Sequence, residues 1–127
     1  DIARSVRKDI APEYRTDKVK VMEDRKGMPK PVATQFKTAI KYTKNSPEAA
    51  CGLFKEVDLQ YPNYGPLLYD RGVCAEQAGR LDEAFKLYET ARTLMPSERL
   101  VSNALSRIAA RHEADGDWAD RRARRGR

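Results

Sequence analysis

The chain has 127 residues, 40% of them hydrophobic and 35% charged, with a formal net charge of +6. That length holds one modest domain, or a small domain with an appendage, and the hydrophobic share is too high for a disordered chain. Arg121, Arg122, Arg124, Arg125 and Arg127 crowd the end of the sequence. The basic balance therefore belongs largely to the terminus, which argues against a broadly basic nucleic-acid-binding surface.

No run approaches the roughly 18 to 20 apolar residues needed to cross a bilayer. The sequence opens at Asp1 without an initiating Met, so a processed or truncated chain is expected. In residues 1–11, Ile2, Val6 and Ile10 recur every four positions, one stripe of a helix that Pro12 would stop. In residues 17–23, Val19 and Val21 alternate with Lys18 and Lys20, the period of an extended strand; Met22 then falls on the lysine side and Glu23 on the valine side. A lone strand in a helical chain has nothing to pair with. It is either an extended arm or the remnant of a sheet in a preceding domain. Residues 24–31 combine Gly27, Pro29 and Pro31 with charged residues and read as a linker.

From Pro31 onward the period is helical. Val32, Phe36, Ala39 and Ile40 form one stripe, and Ala50, Leu53, Phe54 and Val57 the next. Leu68, Gly72 and Ala75 follow, then Leu81, Ala84, Phe85, Tyr88 and Ala91, and finally Leu100, Ala104, Leu105 and Ile108. Breaks fall at Asn45-Ser46-Pro47, Tyr61-Pro62-Asn63, Gln77-Ala78-Gly79 and Met95-Pro96-Ser97. The pattern predicts short helices of about a dozen residues joined as helical hairpins.

Pro62 and Pro96 lie 34 residues apart, as do Ala50 and Ala84, and Phe54 and Tyr88. Such a period, in register with the breaks, marks an internal repeat. The segment Gly65–Glu98 resembles a tetratricopeptide repeat (TPR), with Leu68, Gly72, Ala84, Tyr88, Ala91 and Pro96 at the motif positions. Small Gly72 and Ala84 let two antiparallel helices approach, and Tyr88 fills the space between them. Gly79 suits the left-handed conformation that ends a helix. The flanking units match less well. Asn45 stands where Gly79 stands, and Asn is the other residue that tolerates that conformation. Thr38 replaces the usual Gly, and Arg71 the usual Leu. Downstream, Arg99–Arg111 reads as the first helix of a third unit and Gly116-Asp117-Trp118-Ala119 as the start of its second.

The resemblance covers residues 31–120. It implies an all-α fold, a short right-handed stack of antiparallel helical hairpins. Residues 1–30 would precede it as a helix and an extended arm, and residues 121–127 would follow as a basic tail. It also implies a concave groove lined by the first helices, which binds a protein or peptide partner. The matching positions are Gln35, Ala39, Tyr42 and Thr43, then Tyr69, Val73, Glu76 and Gln77, then Asn103, Arg107 and Arg111. The plainer alternative is a face that is merely solvated, or covered by the N-terminal segment. A two-carboxylate clamp for a chaperone tail is not expected, because Gln35, Ala39 and Asp70 stand where Lys and Asn would be needed.

Cys51 falls in the second helix of one unit and Cys74 in the first helix of the next, helices that pack side by side in this family. They form either a disulfide, which implies a periplasmic or secreted setting, or two buried thiols in a cytoplasmic one. No enzyme is expected. His112 is the single histidine, and no nucleophile–base set, metal cluster or phosphate-cradling loop accompanies it. No cofactor or metal is implied. The alternatives to an interaction scaffold are a nucleic-acid-associated protein gripping phosphates through the arginine tail, and an accessory domain of a larger envelope protein.

Overall fold

A computed structural model describes residues 19–125, with side-chain surroundings for residues 19–114. The helix expected over residues 1–11 lies outside the described residues.

Proline and acidic residues decide where the helices begin. Helix α1 (Lys30–Asn45), α2 (Pro47–Gln60) and α3 (Gly65–Gln77) each carry a proline at one of the first two positions, where its missing N–H costs nothing. Helix α4 (Leu81–Leu94) has Asp82 and Glu83 in its first turn, where negative charge suits the helix dipole. Helix α5 spans Arg99–Arg125. Among the described residues the fold is all-α, with no strands, and the helices pack in sequence as adjacent hairpins.

The turns follow local chemistry. After α3, Gly79 takes φ +84°, and the Arg80 amide donates back to the Ala75 carbonyl at 2.9 Å, closing the helix end. The first hairpin differs from the sequence expectation. Asn45 stays helical, and Ser46 (φ −146°, ψ 79°) makes the turn. The left-handed asparagine is Asn63 (φ 64°), before α3.

The third hairpin is a correction. Helix α5 continues through Gly116 to Arg125, so it is a single helix closing the stack. A lone glycine costs a helix interior about 1 kcal/mol, and Gly116 has no proline beside it to force the break that Pro47, Pro62 and Pro96 accompany.

The helices enclose two cores. Val32, Phe36, Ala39, Ala50, Phe54 and Val57 fill the α1–α2 hairpin, with Leu67 of α3 added from the next unit. The Phe36 and Phe54 rings meet edge to face at 5.8 Å. Leu68, Tyr69, Val73, Ala75, Ala84, Tyr88 and Ala91 join Val101, Ala104 and Ile108 of α5 in the second core. Gly72 makes the α3–α4 approach possible, since a Cβ there would stand 2.5 Å from Tyr88 Cε1. Consecutive positions on α3 thus serve both cores, which makes α3 the centre of the structure.

Candidate functional site

The arm that precedes α1 lies along α3 and is held by its own backbone. The Tyr69 hydroxyl donates to the Lys20 carbonyl at 2.7 Å, and Asp70 Oδ1 accepts the Met22 amide N–H at 2.7 Å. Met22 is buried in the second core, and Val19 packs against it. Val19, Val21 and Glu23 line one wall of a cavity of about 430 Å³. Alternate residues on one wall are the mark of an extended segment, so the valine alternation in the sequence becomes an arm rather than a strand of a sheet.

The residues after the arm are not a free linker. Gly27, at φ +87°, makes a tight turn, the Tyr64 hydroxyl donates to the Lys26 carbonyl at 2.8 Å and the Tyr61 hydroxyl to the Gly27 carbonyl at 3.1 Å. Burial, with the nearby Asp24 charge, pushes the Tyr64 hydroxyl up to about 12. Nothing in the sequence signalled these two contacts, because the tyrosines lie 34 and 38 residues further along the chain.

Across the cavity stand Ile40, Thr43 and Lys44 of α1, Ala50, Cys51 and Phe54 of α2, and Asp70, Val73, Cys74 and Gln77 of α3. The groove positions named from sequence divide accordingly. Tyr69, Val73 and Glu76 are buried, while Thr43 and Gln77 sit at the cavity. Ala39 belongs to the first core. Gln35 is taken up by α2, its Oε1 accepting the Gln60 amide at 2.8 Å. Tyr42 and Asn103 are exposed and do not line the cavity.

Arg107 and Glu76 come together in a forked pair. Arg107 Nε donates to Glu76 Oε2 at 2.9 Å and Nη2 to Oε1 at 2.8 Å. The buried Tyr88 hydroxyl adds a third bond to Oε1 at 2.7 Å. Burial opposes the Glu76 charge, but the hydrogen bonds from Arg107 and Tyr88 and the charges of Arg107 and Arg111 outweigh it and hold the carboxyl below its ordinary range. The same pairing raises Arg107 further. Burial pushes the Tyr69 hydroxyl up to about 12.

Asp70 is the residue that sequence reasoning missed as a contributor. It is fully buried, and its Oδ2 has no hydrogen-bond partner among the described residues. Burial raises its carboxyl well above the ordinary value, the Met22 amide opposes this, and the Glu23 charge adds to it. The one available signal was an acidic residue inside a run otherwise buried, Leu67-Leu68-Tyr69-Asp70.

Cys51 and Cys74 are bonded, with sulfurs at 2.08 Å and Cα atoms at 5.9 Å, and the bond ties α2 to α3 at the cavity wall. Such a bond is compatible with an oxidising compartment. His112 Nε2 lies 3.4 Å from Asp82 Oδ1, and both side chains are exposed. Among the described residues no cluster of three or more metal-ligating side chains occurs, and no helix is long and apolar enough to cross a membrane. The backbone of α5 carries the arginine-rich end as helix to Arg125; Arg127 lies outside the described residues. Comparison with known proteins finds no family model, no characterised protein and no solved structure that matches the chain.

Proposed function

We propose that this chain is a protein-interaction module of the TPR type, whose groove between the α1–α2 hairpin and α3 binds an extended segment of a partner protein. The observation that carries the reading is the seat of the chain's own arm. Tyr69 and Asp70 hold the arm by a backbone carbonyl and a backbone amide, contacts that any extended chain offers. Met22 supplies the side-chain anchor. A groove that already holds one extended segment has the chemistry to hold another, and the arm acts as its resident placeholder. The 34-residue period and the helical hairpins support the TPR assignment, and the Cys51–Cys74 bond supports a periplasmic or secreted setting.

The test places a photo-reactive residue at exposed Gln77, on the cavity, in the full chain carrying Met22→Asp to release the arm. In the source cell it is expected to crosslink a protein, and a synthetic peptide spanning Thr16–Arg25 is expected to compete that crosslink away. A crosslink indifferent to the peptide, or no crosslink, counts against the groove as the binding site.

A further inference from the structure

The arm fits its seat unequally on its two sides. On one side Met22 fills the second core and is 8% exposed. On the other, Val21 faces a cavity of about 430 Å³ walled by Ile40, Pro47, Ala50, Phe54 and Val73. The cleft is partly open to solvent, so there is room beside the valine for a larger side chain to cover these apolar neighbours. The backbone bonds to Tyr69 and Asp70 would hold any extended chain alike, so they do not favour the arm over another occupant. The arm is therefore anchored well enough to occupy the groove and poorly enough to be replaced.

Resting on the interaction reading above, we propose that the partner is an extended segment with a large apolar side chain, best an aromatic ring, at the position Val21 takes in the arm, and that it displaces the arm. The ring enters the space between the α1–α2 hairpin and α3, against Phe54 and Ile40. The partner backbone takes over the Tyr69 and Asp70 hydrogen bonds. Glu23 and Lys44 both line the cavity, so an acidic residue two positions after the ring matches the site. Added apolar burial is what separates the partner from the arm, because the backbone bonds are the same for both.

The test uses the full chain with Met22→Asp and two synthetic peptides spanning Thr16–Arg25, one of native sequence and one with Val21→Phe. Fluorescence anisotropy is expected to show the native peptide binding and the aromatic one binding about tenfold tighter, about 1.4 kcal/mol. Equal affinities overturn the cavity proposal while leaving peptide binding intact. Binding by neither peptide overturns both. In the intact chain, Val21→Phe is expected to raise the melting temperature and to exclude the native peptide. A lowered melting temperature overturns the proposal. A Val21→Phe chain that dimerises on size exclusion overturns it too, since the occupant is then a second copy.

Discussion

Replacing Arg107 with Met keeps an unbranched apolar stem and removes the guanidinium, which tests the pairing with Glu76. The Glu76 side chain is 4% exposed and that of Arg107 32%. Removing one partner of a buried pair costs roughly 3–5 kcal/mol, and the partial exposure of Arg107 places this case at the low end, about 3 kcal/mol at neutral pH. The pH dependence is the sharper signature. In the native chain the folded Glu76 carboxyl lies below its ordinary value. Its stabilisation is present above the unfolded value and lost as pH falls through the folded one. In the variant the Tyr88 bond and the Arg111 charge remain to oppose burial, but the Arg107 bonds and charge are lost, so the folded carboxyl moves up from its lowered position. The variant is then least penalised in acid, and its deficit grows as pH rises from about 4 to about 7. Urea unfolding followed by circular dichroism across that range measures the difference between the two chains, in which the contribution of Asp70 cancels. A deficit below about 1 kcal/mol that stays flat with pH would refute the reasoning.

Three further outcomes follow from the same contacts. Gly72→Ala is expected to cost about 2–3 kcal/mol in thermal unfolding, because its Cβ meets a Tyr88 ring that Glu76 holds in place; Gly65→Ala, which meets only the flexible Met95 side chain, is expected to cost less than about 1 kcal/mol. Equal costs would show that Tyr88 yields. Replacing both Cys51 and Cys74 with Ala opens a loop with a sequence separation of 23, worth about 3 kcal/mol in the chain-entropy treatment, and an unchanged denaturant midpoint would contradict this. Asp70→Asn keeps an acceptor for the Met22 amide and removes the buried charge. The folded Asp70 carboxyl is raised, so the native chain loses stability as pH rises through that value. The variant is therefore expected to gain on the native chain from mild acid to neutral pH, and a constant difference would count against a buried ionisable Asp70.

The hairpins were legible because their signals are local. Pro47, Pro62 and Pro96 mark breaks, Gly79 closes a helix, and Gly72 opposite Tyr88 follows from one repeat unit. Where local signals were weaker, the reading overreached. Gly116 suggested a turn that helix propensity overrides, and Asn45 suggested a left-handed residue that the chain places at Asn63 instead. The candidate site was legible in part. The faces of Tyr69, Val73 and Glu76 came from helical spacing, and the alternation of Val19 and Val21 showed an extended segment without deciding between an arm and a strand of a sheet. That the N-terminal segment covers part of this face was one of the open alternatives, but the contacts that seat it were not readable, because the bonds join positions 48 and 49 residues apart. The placement of Arg107 on Glu76 was hidden likewise, since the two belong to units 31 residues apart.

Amide hydrogen exchange at Met22 tests most directly whether the groove holds an extended segment that another can replace. The account predicts a Met22 amide protected in the intact chain by its bond to Asp70, and deprotected when the Val21→Phe peptide is added in excess. A Met22 amide that exchanges at the free-chain rate in the intact protein, or that keeps its protection while the peptide is bound, would contradict it.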